Sequence, residues 1–333
     1  MLYLKYNEKG HMDGGGAQIH RKLAIFSLAK NNGFGYIDSP LIGVITPSYS
    51  PDIEYRKEIL DSWNALTKDM HSSEVNLAAA KKFIDPKLSL EFFNLVTQYH
   101  QFRIPFRLSL KHLVNFHFKP GLRLIRRCQL AQANMHFMRI ISKFSFFLAL
   151  LFGRNCVLIV TEPFDVIKHG DDYVHNSKSW TTLQGKSIPL KIGVHVRRGD
   201  LSSTDVTRYL PDEYYKEVLN FVITLLKSKS IAYELIYYVD FPRKNNNFED
   251  LIDPSFWNFA LINEPFTVNI EADSQALKSL SSSDLIIGSK SSYSFVAGLI
   301  SKAWVILPKW WIENPSDWIT VELNDSRFPI LEK

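Results

Sequence analysis

The stretch Lys191–Leu201, KIGVHVRRGDL, decides how this chain is read. It opens as a buried strand, because Ile192, Val194 and Val196 are apolar, β-favouring and alternate. Arg197, Arg198, Gly199 and Asp200 then follow in succession. Two guanidiniums and a carboxylate at the end of a core strand are costly to leave half buried without partners. Either they hold one another in a structural network, or something anionic comes to meet them.

Moving outward, strand and helix patterns alternate. PDEYYKEVLNFVITLLKSKS (211–230) reads as a helix with Pro211 at its start and acids in its first turn. YELIYYVD (233–240) reads as a strand, EADSQALKSLSSS (271–283) as a helix and DLIIGS (284–289) as a strand. SSYSFVAGLIS (291–301) is a helix and AWVILP (303–308) a last strand. Such alternation predicts βαβ units and a parallel sheet, an α/β fold. Ligands of such sheets sit at the carboxyl ends of the strands. Those ends carry His195 to Asp200, Asp240, and the hydroxyl-rich turn Ser289 to Ser294, with Ser291, Ser292 and Tyr293. Three polar clusters are therefore expected on one rim.

The first half is less regular. Gly14, Gly15 and Gly16 precede a helical pattern whose apolar face is Ile19, Leu23, Phe26, Leu28 and Ala29, with Asn31-Asn32-Gly33 as a stop. Tyr36 and Ile37 read as a short strand. A glycine loop opening a helix presents free N–H groups to an anionic or sugar-bearing ligand, although a plain tight turn explains the same residues. Residues 51 to 155 read as mainly helical. Among them Arg107, Lys111, Lys119, Arg123, Arg126, Arg127, Arg139 and Lys143 are interleaved with Leu, Phe and Ile. That pattern is a solvated basic face or a surface for an anionic membrane. The apolar run Phe144–Val160 is broken by Gly153, Arg154 and Asn155 into pieces too short to cross a bilayer, a helix and then a strand. KHGDDYVHNSKSWTTLQGKS (168–187) is a candidate junction, which divides the chain into domains 1–185 and 186–333.

Composition narrows the partners. The 333 residues are 46% hydrophobic and carry a formal charge of +5, enough core for about two domains with only a mild excess of base. That balance fits an anionic ligand or membrane surface and does not argue for nucleic acid. Two cysteines, Cys128 and Cys156, give neither a disulfide framework nor a cysteine zinc site, and fit a reducing compartment. No signal-peptide pattern opens the sequence, so the expected location is cytoplasmic.

Arginine matches phosphate oxygens with a rigid, permanently charged fork, so Arg197 and Arg198 suit a diphosphate. Neighbours on a strand face opposite ways, so one arginine meets the ligand and the other braces the loop; which does which is open. Ser291, Ser292 and the first N–H groups of the following helix suit the other side of the same phosphates. His195 could donate to a phosphate or sugar oxygen, or be a satisfied strand histidine. No Asp-x-Asp pattern accompanies these groups. The combination points to transfer from a sugar nucleotide without metal, the departing diphosphate being stabilised by charge.

The same residues resemble a family. GVHVRRGDL (193–201) is similar to the His-x-Arg-Arg-x-Asp motif of the α1,2-fucosyltransferases and their α1,6- and protein O-fucosyltransferase relatives. LIIGSKSSYSFVAGLIS (285–301) resembles that family's later serine-rich segment, and WVILPKWW (304–311) its Pro-Lys-x-Trp stretch. GGGAQIHRKLAIFSLAK (14–30) resembles its glycine-rich helix opening, one residue short. The resemblance implies a GT-B-like fold of two Rossmann-like domains facing a cleft. It also implies GDP-fucose as donor, inversion at the anomeric carbon, no metal or other cofactor, and a glycan acceptor. On this reading Arg197 contacts the β-phosphate and is critical, and Arg198 and His195 take the adjoining motif positions. Asp200 is the motif aspartate, while Ser291, Ser292 and Tyr293 lie on the phosphates, with Asp240 and Asp273 near the nucleotide. Gly15, Gly16, Gln18 and His20 form the substrate loop. Ala17 stands where the family has Asn, and YYVDFPR (237–243) keeps only Asp240 of the usual Phe-Ser-Asp-Asp.

The general base is open among Asp200, Asp205 and Asp13. The acceptor expected is a bacterial surface polysaccharide or lipid-linked precursor at the inner membrane. Two alternatives share the fold: transfer from another nucleotide sugar, and a non-catalytic glycan- or nucleotide-binding protein. Arg197 separates the last from an enzyme, since a binding module could spare it.

Overall fold

The computed structural model describes residues 1–7, 14–43, 53–70, 80–88, 90, 92–94, 96–97, 145–146, 148–150, 154–175, 189–197, 207–240, 264–269, 273–323 and 329–330. In chain order the elements are β1 (Leu2–Tyr6), α1 (Gly15–Asn31), β2 (Gly35–Ile37), α2 (Ile53–Ala65), β3 (Lys81–Lys87), β4 (Cys156–Glu162) and β5 (Leu190–Arg197). There follow α3 (Asp212–Ser228), β6 (Tyr233–Asp240), β7 (Phe266–Asn269), α4 (Asp273–Ser281), β8 (Leu285–Ile287), α5 (Ser292–Ile300), β9 (Trp304–Pro308), β10 (Ile319–Leu323) and β11 (Pro329–Ile330). Two compact units result. One comprises Met1–His11, Ala24–Pro40 and Asp69–Ile167, the other Met12–Leu23, Leu41–Lys68 and Lys168–Lys333.

The first unit is built on a parallel sheet in the order β2-β1-β4-β3. Leu2, Leu4 and Tyr6 of β1 and Cys156, Leu158 and Val160 of β4 are wholly buried, as central parallel strands covered on both faces require. Phe83 of β3 packs its ring against Phe92 and Phe146, each with centroids 5.6 Å apart. α1 stops where expected: Gly33 takes a φ of +68°, and the Phe34 amide returns to the Ala29 carbonyl at 2.8 Å.

One expectation is corrected in this unit. Residues 81–87 lie inside the region read as helical, yet they form β3. Lys81, Lys82, Asp85 and Pro86 hide a strand from any apolar-pattern reading. Proline and charge are tolerated because β3 is at the sheet edge, where one side of the ladder needs no partner.

The second unit carries a sheet in the order β11-β10-β9-β8-β5-β6-β7, parallel except for the β10–β11 pair. The expected α/β class and parallel βαβ alternation are therefore present. α3 forms as read, with Pro211 as its N-cap residue and Asp212 and Glu213 in its first turn. Its Tyr215, Val218, Leu219 and Val222 share a core with Ile192, Val194 and Val196 of β5. β5 leads through α3 to β6 on one side, whereas β8 lies on β5's other side. The strand order thus reverses at β5 and β8, and the carboxyl ends of those two strands are where such a sheet opens for a ligand.

Among the described residues no helix is long and apolar enough to cross a membrane.

Candidate ligand site at the ends of β5 and β8

Alternate residues of β5 serve two layers. Ile192, Val194 and Val196 face the α3 core, and Gly193, His195 and Arg197 occupy the other face. At Gly193 a Cβ would lie 2.5 Å from Ser283 Oγ and 2.7 Å from a Leu280 methyl, so the close approach of α4 requires glycine there. Two residues on, His195 is buried. Its Nδ1 lies 2.6 Å from Ser294 Oγ and 3.1 Å from Ser289 Oγ. Ser294 Oγ also accepts the Ser289 amide at 3.0 Å, so Nδ1 is engaged within a cluster of two serine hydroxyls. Burial, and then the Arg197 charge, pull His195 down to about 3, so the ring is neutral at any ordinary pH. A ligand oxygen could be met only by Nε2.

Arg197 closes the strand. Its Nη1 donates to Ser291 Oγ at 3.4 Å. Ser291 is the N-cap of α5, in extended backbone (φ −148°, ψ 134°), and the same Oγ accepts from the Tyr293 amide at 3.2 Å. A guanidinium is therefore tethered to the positive end of a helix whose first turn holds no acidic residue.

The glycine loop comes to the same place. A Cβ on Gly16 would stand 3.2 Å from the Tyr293 Cα, so the first turn of α1 touches the first turn of α5 backbone to backbone. α1 also has no acid in its first turn. Gly15 lies flat against Trp63 of α2, where a Cβ would come 2.3 Å from the ring. Trp63 meets Tyr293 edge-on at 6.4 Å, and Tyr293 stacks on His195 at 4.8 Å. The hydroxyls of Ser62 on α2 and Ser274 on α4 bond to each other beside this cluster. Two helix starts and one arginine thus converge.

Gln18 and His20 are buried. Gln18 donates to the Gly43 carbonyl at 2.8 Å, and His20 Nε2 lies 2.8 Å from the Tyr173 hydroxyl, facing Phe295 of α5. Burial, and then Arg21, pull His20 down to about 3. Asp240 is paired in register with Arg197 across β5 and β6, and Asp273 is the first residue of α4. Ser292 opens α5. Arg198, Asp200, Asp205, Asp13 and the basic residues from Arg107 to Lys143 lie outside the described residues.

Sequence reading missed Trp63 and Tyr173, and it marked Trp311 only as the end of the Pro-Lys-x-Trp resemblance. Nothing local marks the first two, since each matters through a contact distant in sequence. Among the described residues no group of three or more His, Cys, Asp or Glu side chains could hold a metal ion.

Similar solved structures include E. coli heptosyltransferase WaaC with ADP, at 9% identity and a TM-score of 0.38, covering 98% of this chain and 95% of that one. The heptosyltransferase with ADP-2-deoxy-2-fluoro heptose gives 12% identity and a TM-score of 0.37, over 98% and 95%. No family model matches the chain, and no curated protein matches it.

Proposed function

We propose that the second unit binds a nucleoside diphosphate sugar and that the protein is an inverting glycosyltransferase of GT-B type. One observation carries this reading: Arg197 is held 3.4 Å from the N-cap hydroxyl of α5, where the start of α1 also abuts α5. A guanidinium and two helix starts gathered in this way offer N–H donors and positive potential, and a diphosphate supplies matching charge and acceptor oxygens. Their location at the reversal of strand order supports the same ligand.

The chemistry follows from the charge. The acceptor hydroxyl oxygen forms a bond to the anomeric carbon as the bond from that carbon to the β-phosphate oxygen breaks. The electron pair leaves with the diphosphate. Arg197 and the helix starts stabilise that departing charge more strongly than the less localised charge of the ground state. The proton of the hydroxyl passes to a carboxylate, for which Asp200, Asp205 and Asp13 are the candidates. Resemblance of the His195–Asp200 motif to fucosyltransferases makes GDP-fucose the proposed donor and a glycan hydroxyl the proposed acceptor.

Calorimetric titration of GDP, UDP, CMP and ADP into the protein without metal tests the reading. The expected result is selective binding of GDP, weakened about a hundredfold or more in Arg197→Ala. Selective binding of another diphosphate would keep the transferase and change the donor. No binding of any nucleotide would leave Arg197 as a structural cation and sink the proposal.

A further inference from the structure

The diphosphate anchor does not account for an aromatic surface built beside it. β9 ends at Pro308, and Lys309, Trp310 and Trp311 continue from its carboxyl end, the side of the sheet on which Arg197 and Ser291 also lie. Trp311 is 51% exposed. Its ring is braced by Trp310, at 5.3 Å and 70°, and by His20, at 6.0 Å and 48°. His20 in turn lies 4.9 Å from Phe295 and hydrogen-bonds Tyr173, while Phe295 packs against Trp318 at 5.3 Å. A continuous series of rings therefore runs from buried Phe295 on α5 outward to one half-exposed indole.

Exposure alone means little. Phe221 of α3 is also 51% exposed, and single apolar residues on a surface are ordinary. Trp311 differs in having its ring packed against Trp310 and His20 and in standing just past a strand's carboxyl end. Phe295 lies one helical turn, roughly 6 Å along the axis, from the Ser291 cap that holds Arg197. His20 belongs to α1, whose first turn touches α5. Ring platform and anion anchor thus share the same two helices.

We propose that Trp311 is a stacking platform for a pyranose ring of the saccharide acceptor. One face of a pyranose presents C–H groups of slight positive charge, which match the negative face of an indole, while its hydroxyls remain at the edge for water or polar partners. A ring already fixed by its neighbours loses little freedom on binding. The choice of a saccharide rests on the glycosyltransferase reading; the platform itself rests on the ring geometry.

Saturation-transfer NMR on the full chain, with lactose, maltose and cellobiose as probes, tests the proposal. Transfer to the ring protons of at least one disaccharide is expected in the parent protein. In Trp311→Ala binding should weaken about tenfold, whereas Trp311→Phe should retain part of it and Phe221→Ala all of it. Melting curves of the variants confirm that each is folded, and the Phe variant keeps a ring in place should the Ala variant unfold. GDP titration of the same proteins should give unchanged affinity. Absence of transfer from all three disaccharides overturns the platform, as does full transfer in Trp311→Ala. Saccharide binding through Trp311 in a protein that ignores every nucleotide would retain the platform and remove the transferase. A Trp311-dependent blue shift with phosphatidylglycerol vesicles, and none with sugars, would assign the ring to a membrane and overturn the saccharide.

Discussion

The two sheets end their strands in different chemical groups. At the rim of the four-stranded sheet the described bonds join neutral groups, or a hydroxyl and one carboxylate. Asn7, just past β1, donates to Thr161 of β4 at 2.9 Å; Ser39, past β2, donates to the Tyr6 carbonyl at 3.1 Å; and the Tyr36 hydroxyl donates to Asp38 at 3.2 Å. At the rim of the seven-stranded sheet a guanidinium and two helix starts gather with the Ser291 hydroxyl among them. Topology offers a ligand position in both. What differs is the kind of group presented there: a guanidinium and helix starts suit an anion, whereas amides and hydroxyls do not single one out.

Breaking the charged rim should have the largest effect. Arg197→Ala is expected to reduce GDP affinity about a hundredfold by titration with little change in melting, because the side chain is at the end of its strand. The matching change in the neutral rim, Asn7→Ala, removes a hydrogen bond and should cost about 1 kcal/mol of stability without altering GDP affinity. Similar losses of nucleotide from both variants would erase the contrast.

Two glycines sharpen it further. A Cβ on Gly35 would sit 2.2 Å from the buried Tyr3 ring, and one on Gly16 would sit 3.2 Å from Tyr293 backbone. Gly35→Ala should therefore lower stability by about 1–3 kcal/mol, read in denaturant, and leave nucleotide binding alone. Gly16→Ala asks for a shift of only tenths of an ångström but moves the two helix starts apart. Its expected signature is a smaller stability loss and weaker GDP binding.

Acid should act through the second unit's buried rings. His20 and His195 are both held at about 3, against an ordinary value near 6.5, chiefly by burial. Their folded forms refuse a proton that the unfolded chain accepts. Their contribution is complete above about pH 6.5 and is lost as the pH falls towards 3, at about 1.4 kcal/mol per histidine for each pH unit. Denaturant melts between about pH 7 and pH 5 should show this slope. His195→Asn, which keeps a polar amide near the place of Nδ1, should reduce the slope by one histidine's share. An unchanged slope would mean that protons enter elsewhere.

What the sequence made legible is what local pattern encodes. β5, β6 and β9 are apolar runs, and α3 carries Pro211 and two acids at its start, so each is recognisable from a few adjacent residues. β3 is not, because edge position permits Lys, Asp and Pro where pattern reading demands apolar residues. β7 and β10 escape as well: both are short, and Ile319 faces solvent. The site divides in the same way. His195, Arg197 and Ser291 stand out as residue types, and the chain brings them within hydrogen-bond reach of one another's neighbours. Contact of Gly16 with Tyr293, of Gly15 with Trp63 and of His20 with Trp311 depends on tertiary packing, which no local signal announces.

The smallest effect is expected where charges are fully in water. His169 Nδ1 lies 2.6 Å from Glu313 Oε2, and this hydrogen bond and the carboxylate charge raise the histidine above its ordinary value. The pair joins two loops that are also held by the Ser316 amide on Asp171 at 2.7 Å, by His175 on Asp317 at 2.9 Å, and by Gly170 pressed against Pro315. Glu313→Gln should return the His169 titration, followed by NMR, towards its ordinary position. Melting should not change, because exposed pairs gain little over hydration and the loops keep their other ties. Such a result would fit linkage at an exposed site: the raised histidine contributes below its folded value, but in water that contribution is too small to move the melt. A clear drop in melting would instead show the His169–Glu313 contact to be a principal tie between the loops.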